Sequence, residues 1–94
     1  MAIYTTMMKY VTKEQYDSLS RFGKEILEDL IRYAPKKLQM MQQDGSLYPT
    51  LKKSGDQMLD RYLDLLDAGY QDNEALEVVR EIKYQITSEE ETEE

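Results

Sequence analysis

The stretch Val11–Pro35, VTKEQYDSLSRFGKEILEDLIRYAP, decides the fold class. Thr12 is a good N-cap, and Gln15 three residues on completes a capping box, each side chain bonding the other residue's backbone N–H. Val11 and Tyr16 occupy the hydrophobic-staple positions around that cap. From Tyr16 onward Leu19, Phe22, Ile26, Leu27, Leu30, Tyr33 and Ala34 recur at helical spacing. Gly23 lies on this apolar side, where it costs about 1 kcal/mol against Ala. Its use there is the close approach of a neighbouring helix. Pro35 then stops or kinks the run.

The rest of the chain extends the same pattern. A short second helix is expected with Pro35 near its first position, carrying Lys36, Lys37, Leu38, Met40 and Met41 and ending at Asp44-Gly45-Ser46. Leu47-Tyr48-Pro49-Thr50-Leu51 reads as a connector. The third helix is expected to start at Ser54, with Gln57 at the capping-box position, and to stop at Gly69. A fourth is expected to be capped by Asp72, with Glu74 in its first turn and Ala75, Val78, Val79, Ile82 and Ile86 as its apolar face. Residues 1–11 read as an extended arm, because Ile3, Tyr4, Thr5 and Thr6 favour strand but have no strand to pair with. The expectation is an all-α chain: a single-domain bundle of about four helices over residues 1–87, followed by a disordered acidic tail over 88–94.

Composition narrows the chemistry. The chain has 94 residues, no Cys and no His. It therefore lacks a disulfide framework, a thiolate nucleophile, the commonest general base and the commonest transition-metal ligand. Neither a G-x-S-x-G turn, a phosphate-binding loop nor a dinucleotide fingerprint is present. A calcium loop is also missing. The sequence thus gives no reason to expect an enzyme, a catalytic residue, a cofactor or a bound metal. No run approaches the ~18 apolar residues of a membrane span, and Met1–Lys9 lacks the pattern of a signal peptide. A cytoplasmic protein is expected, without membrane partners.

Charge is split by position. Met1–Lys53 carries nine Lys/Arg against six Asp/Glu, whereas Ser54–Glu94 carries three against thirteen, for a total of −7. Net negative charge disfavours direct binding to nucleic acid. Within the acidic half, Asp56, Asp60, Asp64 and Asp67 cover only about 80° of a helix circumference. Met58, Leu59, Tyr62, Leu63, Leu65 and Leu66 occupy an arc about 160° wide on the opposite side. Glu74, Glu77 and Glu81 of the next helix extend the acidic surface, and Arg61 is the one cation near enough to offset the aspartates.

A solvated face is the plain use of such a ridge. Its sharper use is docking into a basic groove: carboxylates one turn apart lie ~5–6 Å from each other, comparable to phosphate spacing along a strand, which is the basis of nucleic-acid mimicry. In size, charge and helical class the chain is similar to phage and mobile-element inhibitors, including anti-CRISPR proteins, and that similarity implies an inhibitor whose partner is a protein with a basic surface.

Other features suit an alternative, a structural or regulatory subunit that binds through an apolar surface and forms a homodimer. Eight Tyr accompany a single Phe and no Trp, and Tyr favours interfaces through its apolar ring and polar tip. The pairs Met7-Met8 and Met40-Met41 suit adaptable contacts. Lys36-Lys37 and Lys52-Lys53 are placed to meet the acidic half of this chain or of a second copy. Finally, Ala68-Gly69-Tyr70 followed by Ala75 resembles the Met-Gly-Phe/Tyr loop of ubiquitin-associated domains. It carries Ala where that motif has Met, and the chain reaches its acidic tail before the third helix such a domain requires.

Overall fold

The capping box at Thr12 forms as the sequence requires. Thr12 Oγ1 accepts the Gln15 N–H at 3.0 Å, and the Thr12 N–H donates to Gln15 Oε1 at 3.0 Å. The structure is a computed structural model that describes residues 2–87. It is all-α among those residues, with α1 Ala2–Met7, α2 Lys13–Ser18, α3 Arg21–Tyr33, α4 Pro35–Asp44, α5 Leu47–Asp67 and α6 Asp72–Thr87. The expected tail, 88–94, lies outside the described residues.

Among the described residues six helices replace the expected four, for local reasons. The arm is not extended, since residues 2–7 form α1. A lone strand would leave its backbone unpaired, whereas a helix satisfies it internally. The turn after α1 is closed by the Tyr10 and Val11 N–H groups donating to the Met7 carbonyl, and it buries both Met7 and Val11.

The first expected helix breaks at Leu19 and Ser20, which are extended at ψ 145° and 169°. Serines bond locally and compete with helix continuation. Ser18 Oγ donates to the Gln15 carbonyl at 2.8 Å, and Ser20 Oγ accepts the Gly23 N–H at 3.2 Å as the N-cap of α3. Leu19 still reaches the core from the break. Tyr33, expected on the buried stripe, is 66% exposed instead.

Leu47–Leu51 is not a connector but the opening of α5, and Ser54 lies inside that helix rather than capping it. Pro49 does not prevent this, because the first turn has N–H groups with no intrahelical partner to lose. Asp72 is the first residue of α6, not its cap. Gln71 takes the cap position: its carbonyl accepts from the Ala75 N–H at 2.9 Å, while its own N–H donates to Glu74 Oε1 at 3.0 Å.

The stops at Gly45 and Gly69 are as expected, with φ of 81° and 101°. At the end of α5 the Tyr70 N–H donates to the Leu65 carbonyl and the Gly69 N–H to that of Leu66, both at 3.0 Å. This is the paired closure of a Schellman motif, and it turns the chain directly back into α6.

One core unites these pieces. Phe22, Ile26, Leu27 and Leu30 of α3 meet Leu38 of α4, Leu51 and Met58 of α5 and Val79 of α6, all essentially inaccessible to solvent. The tightest approach is between α3 and α5, at Gly23 and Gly55. A Cβ built on Gly55 would lie 2.6 Å from both the Cα and the N of Gly23, and one on Gly23 would lie 3.0 Å from the Leu51 carbonyl oxygen. The close-approach role expected of Gly23 is therefore met by a second glycine opposite it.

Gly55→Ala is expected to lower stability by roughly 1–3 kcal/mol through overpacking, despite the ~1 kcal/mol by which Ala is the better helix former. Urea denaturation measures this. An unchanged midpoint would mean the helices separate at the crossing without loss.

Candidate functional site: the outer faces of α5 and α6

The inner face of α5 is Leu51, Gly55, Met58, Tyr62 and Leu65, alternating four and three residues apart, and all are buried. On a helical wheel the centre of the aspartate ridge lies almost diametrically opposite, about 180° away. Asp60, Asp64 and Asp67 are exposed, and they make no ion pair or hydrogen bond among the described residues. Asp56 is partly shielded and pairs with Lys52 at 3.5 Å.

The offsetting cation is thus Lys52, one turn upstream, and not the expected Arg61, which is exposed and makes no ion pair among the described residues. Leu63 also departs from expectation. It is 50% exposed and stands beside the aspartates instead of in the core.

On α6, Ala75 and Val79 face inward, which turns Glu74, Glu77 and Glu81 outward, and all three are exposed. Glu74 is partly committed to the helix start through its bond to the Gln71 N–H. Glu77 and Glu81 have no such tie among the described residues. Arg80 lies between them in sequence and is exposed as well. The acidic residues of α5 and α6 thus form outward ridges on their own helices.

Three polar clusters were not legible in the sequence. The Tyr62 hydroxyl donates a hydrogen bond to Asp72 Oδ1, spanning the α5–α6 turn. Tyr62 also meets Phe22 edge to face at 5.5 Å, and the Arg21 guanidinium lies over both rings at 5.0 and 5.4 Å. The hydrogen bond to Asp72, followed by burial and the charge of that carboxylate, holds the Tyr62 hydroxyl above the ordinary tyrosine range.

The second cluster joins α6 to α3. Lys83 Nζ lies 3.1 Å from Asp29 Oδ2 and 3.5 Å from Glu25 Oε1, with its side chain only 12% exposed. Here a cation from the acidic half meets carboxylates from the basic half, the reverse of the expected pairing. In the third, Ser18 Oγ and the Tyr48 hydroxyl share a hydrogen bond at 2.6 Å, and Lys52 Nζ donates to the Ser18 carbonyl at 3.0 Å, fastening α2 to α5.

The Tyr and Met residues divide between core and surface. Tyr62 is buried, while Tyr33, Tyr70 and Tyr84 are exposed. Met41 is buried, and its neighbour Met40 is 66% exposed. Among the described residues, no group of three or more Asp and Glu converges as a metal site would require, and no helix is long and apolar enough to cross a membrane. Comparisons with protein-family models, curated proteins and solved structures give no match.

The raised Tyr62 value carries a sign for stability. Between the unfolded and folded values only the folded state keeps this proton, so raising the pH costs stability. The contribution is complete below the ordinary tyrosine range, near pH 10, and is lost as pH rises through the folded value. Tyr62→Phe is expected to flatten this alkaline decline. Urea midpoints of both proteins at about pH 8 and about pH 11 test it, since every other residue is common to the two. Parallel declines would remove the assignment.

Proposed function

We propose that this protein is a small acidic interaction module that presents the outer face of α5 to a basic groove on a partner protein. In its most concrete form it is an inhibitor that mimics nucleic acid and occupies a nucleic-acid-binding groove. The observation that carries this reading is the ridge Asp56, Asp60, Asp64 and Asp67 on a helix whose opposite face is locked into the core. Three of the four carboxylates have no ion pair among the described residues. Like charges one turn apart repel by a few tenths of a kcal/mol, so the three carboxylates without an ion pair add nothing to helix stability and gain from a cationic partner. Glu74, Glu77 and Glu81 add negative charge on the next helix, and half-exposed Leu63 offers an apolar contact beside the ridge. The reading involves no catalytic step, and a cytoplasmic setting suits it.

A second reading has its own support. Tyr33, Met40, Tyr70 and Tyr84 are all exposed, as a subunit that associates through apolar contacts or pairs with a second copy would need. The two differ in salt dependence. Charge-driven docking weakens steeply with ionic strength, and apolar association does not.

The fourfold variant D56N/D60N/D64N/D67N tests the first reading. It is expected to keep the circular dichroism of the parent and to match or exceed its thermal stability, since repulsion is removed. A partner captured from the native host at low salt should be lost at high salt, displaced by a single-stranded oligonucleotide, and not captured by the variant. If the variant retains the same partner, the ridge is only a solvated face. A concentration-dependent sedimentation coefficient, insensitive to salt, would favour the second reading.

A further inference from the structure

Where α3 ends and the last turns of α6 pass it, Asp29, Tyr33, Lys83, Tyr84 and Thr87 line a hollow of about 590 Å³. That volume lies within the roughly 300–1,000 Å³ of pockets that take small ligands. Two of its walls are tyrosines that the fold leaves largely uncovered, Tyr33 at 66% and Tyr84 at 58% exposure. Lys83, the cation in its lining, is already committed to both Asp29 and Glu25. The cluster of Lys83 with Asp29 and Glu25, of which Glu25 stands outside the lining, carries one negative charge in excess. Nearby, Arg32 is neutralised by Glu28 at 2.8 Å, and Lys37, outside the lining, donates to the Gln85 carbonyl at 3.5 Å.

Thr87 supplies an independent sign of an occupant. It is 5% exposed, the one buried polar residue among those described, and its hydroxyl has no hydrogen-bond partner among them. A buried hydroxyl without a partner is costly, and Thr87 is part of the lining of the hollow.

We infer that this hollow receives an arginine side chain of a partner protein, its guanidinium between the Tyr33 and Tyr84 rings and hydrogen-bonded to the Asp29 carboxylate and the Thr87 hydroxyl. The chemistry of the lining selects this group. An anion would meet the excess negative charge, because Lys83 has no charge left to offer. An uncharged planar group could stack on the rings but would leave the carboxylates uncompensated. A guanidinium stacks on aromatic faces, carries five donors in a plane, and sheds its hydration more easily than an ammonium. Arginine should therefore bind better than lysine. The inference does not rest on the α5 ridge, which lies on another helix.

NMR titration of the isotope-labelled full chain with the peptide acetyl-Gly-Arg-Gly-amide tests it. Saturable shifts are expected at Tyr33, Tyr84 and the last turns of α3 and α6, with a Kd on the order of 1 mM for a single side chain. The Y33A/Y84A variant removes two exposed rings and should bind about ten-fold more weakly, whereas Y33F/Y84F keeps the rings and should bind as the parent does. A citrulline peptide of the same shape, lacking the charge, should not bind, and D56N/D60N/D64N/D67N should bind normally. Absence of saturation, equal binding of the citrulline peptide, or shifts confined to α5 would each overturn the assignment.

Discussion

The backbone contact between Gly23 and Gly55 is the constraint on which the remaining structure depends. The two backbones meet directly: Gly55 has no room for a Cβ, and one at Gly23 would be tight against the Leu51 carbonyl oxygen at 3.0 Å. A contact of this kind fixes rotation as well as distance. Turning α5 by one residue, 100° about its axis, would bring Ser54 or Asp56 into the space only Gly55 fits. The direction in which the aspartates point is therefore set from the core side, by a glycine on the opposite face of the same helix. Ser20 reinforces the crossing, since its hydroxyl caps α3 through the Gly23 N–H while lying close to where a Gly55 Cβ would stand.

Much of the fold was legible because it rests on local chemistry. The Thr12 capping box, Pro35 at a helix start and the two left-handed glycines depend only on residues within a few positions. What was missed depended on distant partners or on competition between neighbours. Ser18 and Ser20 sit inside a continuous apolar stripe, yet their hydroxyls bond nearby backbone groups and the helix breaks between them. Pro49 reads as a breaker, yet it is harmless within the first turn. The arm is helical and its end is anchored in the core by Met7 and Val11, a fact no propensity of Ile3 or Thr5 conveys.

The acidic ridge was legible for the same reason as the caps, since a helical wheel places residues without knowledge of the rest of the fold. Its neighbours were not. Lys52 could pair with Asp56 only once Leu47–Leu51 proved helical and continuous with α5, which put the two residues on adjacent turns. The hollow near Thr87 joins residues more than fifty positions apart in the chain, and periodicity carries no information at that range. The charge asymmetry of the two halves also changes meaning. Lys83 crosses between them against the expected polarity, so the basic and acidic halves are partly interleaved in space.

Helix α6 is held by polar ties of different kinds at its two ends. At its first residue, Asp72 accepts from a tyrosine hydroxyl. Four residues before its last, Lys83 sits between two carboxylates. The first tie depends on a proton that alkali removes, and the second on a Coulombic attraction that dissolved ions screen. The solvent thus has two separate handles on one element. Alkali acts on α6 from the turn at Gly69, and salt acts from the opposite end, more weakly because Lys83 is largely buried there.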